Sequence, residues 1–297
     1  MLKKRLLICL VLLAALLVAN LLITQAAGEG DLTFVLNSKK DGYVVSNCAS
    51  TASGALSIPS THDGKPVVEI GREAFLDCTM LTSITIPSSI TSIDWYAFSG
   101  CTGLTSITIP DSVTTIDWFA FYGCTNLTTA TIGNGVTCID AAVFSGCTNL
   151  TDISIGKAVK TIGWSAFNNC TSLTEINLPN SVETIERYAF YGCEQLSNIV
   201  YCGTSEEWDA ITVGDGNDLL DSVTLEFHSD ILGDIDANNT VDYKDAVYLL
   251  LHTMYAEDYP IYGAPADFDG NGTVNQDDAV YLLLYTLFGE NFYPLNS

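Results

Sequence analysis

Cysteine falls at positions 78, 101, 124, 147, 170 and 193, one every 23 residues, and the chain around each cysteine repeats with it. Cut at that period, five units align without gaps from Ala74 to Tyr188: AFLDCTMLTSITIPSSITSIDWY, AFSGCTGLTSITIPDSVTTIDWF, AFYGCTNLTTATIGNGVTCIDAA, VFSGCTNLTDISIGKAVKTIGWS and AFNNCTSLTEINLPNSVETIERY. A partial unit precedes them in LSIPSTHDGKPVVEIGRE and another follows in AFYGCEQLSNIVYCGTSEEW. A unit this short cannot bury its own apolar face and must stack on its neighbours, which makes the array a solenoid. Within each unit the stretch equivalent to LTSITI alternates apolar and polar residues, reads as a short strand, and stops at Pro or Gly. The expected fold is an α/β solenoid with a parallel sheet. Leu104, Ile107, Ile109, Val113, Ile116, Phe121 and Cys124, with their equivalents, point inward, and the Thr and Ser between them line the exposed face.

The period also decides how the cysteines are read. Ten cysteines in an exported chain would ordinarily suggest a disulfide framework. A strictly periodic column instead marks a core position, where free cysteine packs as a small apolar residue. Cys48, Cys138 and Cys202 lie off the column, and their spacing dictates no pairing.

With its AFxGCxxLTxIxIPxxVxxI unit, the array resembles the leucine-rich repeats of the BspA-like bacterial surface type over residues 31–228. The entry LTFVLNSKKDGYVVSNCASTASGALSIPS resembles the hairpin-like N-terminal cap of that family. The exit YCGTSEEWDAITVGDGNDLL resembles its C-terminal cap, with Thr204 and Glu207 at the spacing of a helix capping box.

Trp95, Trp118 and Trp164 share one repeat position, which Ala141 and Arg187 fill in the other units. Two readings stand: the rings project outward as a strip for a sugar or peptide ligand, or they pack along the flank of the solenoid. What the repeat face binds, protein or glycan, is not written in its Ser and Thr.

The tail carries different chemistry. A calcium ion takes six to eight oxygens, and a twelve-residue loop supplies them from positions 1, 3, 5, 7, 9 and 12. DFDGNGTVNQDD places Asp267, Asp269, Asn271, Thr273 through its carbonyl, Asn275 and Asp278 at those positions, with Gly272 at the sharp sixth. An earlier copy, 33 residues upstream, places Asp234, Asp236, Asn238, Thr240, Asp242 and Asp245 there. In that copy Asn239 stands in for the glycine, and Asn is the next most tolerant residue of positive φ. Each loop leads into DAVYLLL.

A duplicated loop–helix unit with Asp at position 12 resembles the dockerin module, over about Leu232 to Pro294. That resemblance implies two bound calcium ions, a small all-α fold of two EF-hand-like units, and docking of the helices onto a cohesin module of a scaffold protein. It places the partner contacts at Tyr243, Lys244, Leu250, Leu251 and Tyr255 in the first half, and at Gln276, Asp277, Leu283, Leu284 and Phe288 in the second. The helical stretches DAVYLLLHTMY and DAVYLLLYTLF are apolar on every side, whereas a helix on a small domain ordinarily keeps one face wet.

The first 26 residues carry Lys3, Lys4 and Arg5, an apolar run from Leu6 to Ile23, and no acids, the layout of a secretory signal or, with 18 apolar residues, of an uncleaved anchor. Acids outnumber bases 35 to 11. Removal of the leader and its three bases leaves 8 against 35, a charge near −27 that argues against nucleic acid or an anionic membrane as partner. His62, His228 and His252 are scattered, and Asp94 and Asp117 share a repeat column that reads as a solvated edge. No nucleophile–base pair, phosphate loop or zinc signature is present, so no catalytic activity is expected. The expected organisation is a leader over residues 1–27, an N-terminal cap over 28–56, repeats over 57–200, a C-terminal cap and linker over 201–229, and the dockerin-like module over 230–297. The expected function is a noncatalytic secreted recognition protein, attached to a cellulosome-type scaffold or cell surface and associated with polysaccharide breakdown. The alternative is a surface adhesin or host-interaction protein whose calcium module is only structural.

Overall fold

In the alternating stretches, β-branched Ile and Thr favour extended backbone, and period-two burial sends every second side chain inward. In the computed structural model, which describes residues 27–227, 243–254, 268 and 273–288, these stretches form the strands Gly54–Ser57, Leu81–Thr85, Ser106–Ile109, Thr129–Ile132 and Asp152–Ser154. The five join in that order as one parallel sheet, and each residue pairs with its own equivalent one repeat away: Ser83 with Ser106, Ser106 with Thr129, Thr129 with Asp152. The predicted inward positions Leu104, Ile107, Ile109, Val113, Ile116, Phe121 and Cys124 are all buried.

A second parallel ladder, not anticipated above, runs on the other side of each turn. Its strands are only two residues long: Ser92–Ile93 and Thr115–Ile116 continue from Lys65–Ile70, while Cys138–Ile139, Thr161–Ile162, Thr184–Ile185 and Thr212–Val213 form a further sheet. At the N-terminal end Leu32–Leu36 and Tyr43–Cys48 pair antiparallel, and Tyr43–Cys48 then pairs parallel with Lys65–Ile70.

The segment between the short strand and the next long one forms successive turns rather than a helix, so the repeat is a β-solenoid unit and the α/β expectation is corrected. The cause is backbone handedness. The residue after the Trp position is left-handed in every turn (Glu73, Tyr96, Phe119, Ala142, Ser165, Tyr188), and a second left-handed residue follows four positions later at Asp77, Gly100, Gly123, Gly146, Asn169 and Gly192. Two such residues leave no room for a helical run. Gly and Asn suit the second site, and at Gly100 a Cβ would meet the carboxylate of Asp77. At the first site, bulky residues are held by the ladder itself: Tyr96 donates its N–H to the Trp118 carbonyl at 3.1 Å and Phe119 to that of Ala141 at 2.9 Å.

Two columns fill the interior. Phe75, Phe98, Phe121, Phe144, Phe167 and Phe190 are fully buried, their rings stacked at centroid spacings of 4.9, 5.0, 5.3, 5.7 and 5.5 Å. Beside them Cys101, Cys124, Cys147, Cys170 and Cys193 each donate Sγ–H to the carbonyl of the Phe 26 residues earlier, at 3.0 to 3.3 Å. None of the described cysteines is in a disulfide. Many of the threonines expected to line an exposed face spend their hydroxyls on the preceding turn: Thr105 donates to the Thr82 carbonyl, Thr128 to Thr105 and Thr151 to Thr128.

The chain divides into two compact units. The first holds residues up to Glu175 with Ser181–Ser197 and Thr212–Ser222, and it contains the elements above. The second holds Ile176–Asn180, Asn198–Ile211 and Val223 onward. It includes, Glu175 apart, the three-stranded sheet ordered Glu175–Pro179, Asn198–Cys202, Thr224–Phe227, and the short helix α1 (Ser205–Asp209). Helix α1 opens with the reciprocal cap of Thr204 and Glu207: Thr204 Oγ1 accepts from Glu207 N at 3.2 Å and Glu207 Oε2 from Thr204 N at 2.9 Å. Tyr201 is buried against Trp208 and Phe227. Two longer helices follow, α2 (Tyr243–Met254) and α3 (Gln276–Phe288).

Candidate functional site

In IDW the isoleucine that ends each short strand turns inward, Asp94 accepts the Trp95 N–H at 2.7 Å, and the left-handed residue after the tryptophan turns the chain. This turn throws the tryptophan outward. Trp95, Trp118 and Trp164 are 38%, 47% and 46% exposed. Trp95 and Trp118 stack on each other at 5.3 Å with planes 2° from parallel, and the Arg72 guanidinium lies 5.7 Å from the Trp95 ring on its other side of the array. Arg187, at the same repeat position, instead lies 5.7 Å from the Tyr188 ring and 3.3 Å from the Asp215 carboxylate. One column inward runs an acidic edge of Asp94, Asp117 and Asp140. Burial, then the charges of Asp117 and Glu186, raise the Asp140 carboxyl above its ordinary value, while a hydrogen bond from Cys138 Sγ opposes them. Glu69 is raised in the same way, first by burial and then by Asp94 and Asp117.

In the tail, Ala246, Leu249, Phe268, Ala279 and Leu282 form a small core, with Tyr281, Leu283 and Tyr285 packed against it. Of the twelve predicted calcium ligands, Asp234, Asp236, Asn238, Thr240, Asp242, Asp267, Asp269 and Asn271 lie outside the described residues, and Asp245 is described only as a position in α2. The remaining three converge. Asp278 is fully buried and its carboxylate accepts from Phe268 N at 2.7 Å and Asn275 N at 2.8 Å. Asn275 Nδ2 in turn donates to the Thr273 carbonyl at 3.2 Å, and Asn275 Oδ1 accepts from Asp277 N at 2.7 Å, capping α3. The oxygens of Thr273, Asn275 and Asp278 are donors of the kind a hard cation such as calcium takes.

Opposite that core, α2 presents Tyr243, Val247, Leu250 and Met254 to solvent, the spacing of one helical face. The same face of α3 carries Gln276, Val280 and Leu287, the last 63% exposed. Of the expected contacts, Tyr243, Lys244, Leu250, Gln276 and Asp277 are exposed, whereas Leu251 and Leu284 are half-buried. Leu283 is half-buried as well and packs against the small core. Tyr255 lies outside the described residues, and Phe288 is described only as the last position of α3. Val247, Met254, Val280 and Leu287 escaped the sequence reading, although their i, i+7 spacing was visible.

Nothing in the described residues assembles a catalytic constellation. His62 bonds Glu29 at 3.0 Å and stacks on Phe34 at 4.1 Å in the N-terminal cap, His252 sits on α2, and His228 lies outside the described residues. Among the described residues no three His, Cys, Asp or Glu side chains group in a way that would hold a metal, and no helix is long and apolar enough to cross a membrane.

Residues 68–197 match the model of the BspA type leucine-rich repeat region, in six copies. Among solved structures, the chain is 30% identical to a T. pallidum leucine-rich repeat protein, covering 64% of this chain and 86% of that one with a TM-score of 0.58. A leucine-rich repeat protein from Eubacterium ventriosum is also 30% identical, with a TM-score of 0.51 over 58% of this chain, which spans 44% of that one. No curated protein matches the chain.

Proposed function

Because the chain belongs to the BspA-type leucine-rich repeat proteins, we propose that it is a noncatalytic extracellular interaction protein: a repeat array that recognises a partner, carried by a tail that docks in a calcium-dependent way. The finer reading is that the tail is a dockerin-like plug, holding two calcium ions and binding a cohesin module of a cellulosome-type scaffold, in the setting of polysaccharide breakdown. The leader-like N-terminus supports export.

The observation that carries the docking reading is the solvent-facing stripe of Tyr243, Val247, Leu250 and Met254 on α2, with Val280 and Leu287 repeating it on α3. A small module whose described residues form a core of five gains nothing from exposing these side chains unless a partner covers them. Calcium is the natural organiser, because residues 230–297 hold twelve acids against one base and the core is too small to offset their repulsion alone.

Cohesin modules are mixed with the full chain in calcium, in EDTA, and with Leu250→Ser plus Leu287→Ser, which spare the core residues Leu249 and Leu282. Retention in calcium, lost in EDTA and in the double variant, is the expected result. Loss of helical circular dichroism in EDTA accompanies it. If chelation melts the helices but no cohesin binds, the tail is only structural and the protein is a surface adhesin. If chelation changes nothing, the calcium reading itself is wrong.

A further inference from the structure

One repeat position reads Arg72, Trp95, Trp118, Ala141, Trp164, Arg187 over six successive turns. Its backbone is tied turn to turn, with the N–H of the following residue donating to the next carbonyl of the column at 2.8 to 3.1 Å from Glu73 to Ser165. The column therefore steps as evenly as the Phe column beside it. Where two tryptophans are consecutive, they stack at 5.3 Å. At Ala141 one ring is missing, and Trp118 and Trp164 stand two steps apart. Between the same turns the Phe column takes steps of 5.3 and 5.7 Å, about 11 Å in all. With Trp164 turned as Trp118 is, a planar group laid over the Ala141 methyl would have an indole on each face, at about the spacing of the Trp95–Trp118 stack. Among the described residues no ring or guanidinium fills that slot.

Charge decides what the group is. The chain itself stacks a guanidinium on this column, with Arg72 over Trp95 at 5.7 Å. Beside the slot stand the carboxylates of Asp117 and Asp140, and Glu186, whose Oε2 accepts the Trp164 N–H at 2.8 Å. The whole chain carries a net charge of −24. A guanidinium is flat, stacks on indole and is drawn by carboxylates; a neutral sugar ring gains only the stacking.

We infer that Trp118 and Trp164 clasp an arginine side chain of a partner polypeptide over Ala141, with the Asp117, Asp140 and Glu186 edge as counter-charge. This rests on the reading of the repeat array as a recognition surface and is independent of the tail.

The test uses the full chain with 15N-labelled indoles, since four tryptophans give few signals. Nα-acetyl-arginine methylamide is titrated in 0.15 M salt, where the Debye length of about 8 Å screens diffuse attraction. The citrulline analogue, which is neutral with the same shape, and xylohexaose are titrated in parallel. The Trp118 and Trp164 indole signals should shift saturably with arginine, the Trp208 signal should not, and citrulline should bind roughly tenfold more weakly. Ala141→Trp fills the slot with a residue the column already accepts in three turns, so it should abolish the response while the Trp95 and Trp208 signals persist. Equal binding of arginine and citrulline, silence toward both, a response to xylohexaose alone, or undiminished binding by Ala141→Trp would each overturn the inference. A protein partner retained by the Ala141→Trp chain would overturn the slot while sparing the recognition reading.

Discussion

Replacing Phe121 with alanine tests whether the stacked Phe column holds the array together. Phe121 is fully buried, with Phe98 on one side at 5.0 Å and Phe144 on the other at 5.3 Å, both nearly parallel to it. Core Phe→Ala substitutions cost about 3–5 kcal/mol, the spread reflecting how well the site collapses. Collapse is poor here, because hydrogen bonds on both sides of the turn fix the spacing of the strands, which places Phe121→Ala near about 5 kcal/mol. At this chain size each kcal/mol lowers Tm by about 2–4 °C, so the expected fall is roughly 10–20 °C. Phe190 stacks on Phe167 alone in the column, at 5.5 Å, and loses one ring pair instead of two. Phe190→Ala should therefore cost about 1 kcal/mol less. Tyr122→Ala, at a side chain 46% exposed and edge-on to Phe119 at 5.8 Å, should cost no more than about 1 kcal/mol and serves as the control. Urea and thermal unfolding followed by far-ultraviolet circular dichroism, with calcium present throughout, measure all three. A loss below about 2 kcal/mol for Phe121→Ala, or an equal loss at Phe190, would refute the argument that continuous ring stacking carries the array.

Gly123 has φ +67° and open space around its missing Cβ, so Gly123→Ala isolates backbone strain and should cost about 1–2 kcal/mol in the same urea assay. Burial pushes the Cys147 thiol from 9.0 up to about 12. The folded thiol holds its proton more tightly than the unfolded one. Its stabilising contribution is therefore complete below pH 9 and is lost as pH climbs from 9 toward 12, at about 1.4 kcal/mol per pH unit. Cys147→Ala should flatten the decline of stability between pH 9 and 11 relative to the parent chain; parallel curves would contradict it. Together with cohesin retention in calcium and the arginine titration, these results probe core, backbone, tail and repeat face separately.

The repeat was legible because a solenoid's core is written locally. Each apolar position meets its own copy 23 residues away, so Leu104, Ile107, Phe121 and Cys124 declared their burial by recurring. The Thr204 and Glu207 cap was legible for a similar reason, since both partners lie within one turn of helix. The two-residue strands were invisible because nothing in a pair such as Thr115–Ile116 favours a ladder until neighbouring turns supply its partners. Left-handed Tyr96 and Phe119 run against their own conformational preference and are held by carbonyls contributed by the next turn. Recurrence placed the tryptophans in one column, and only the turn that follows each short strand decided that they face outward. In the tail, sequence alone marked the oxygen-rich loops and the greasy helices. Which leucines face the core and which face solvent was settled by the packing of α2 on α3, because a helix apolar on every side carries no instruction about which face to bury.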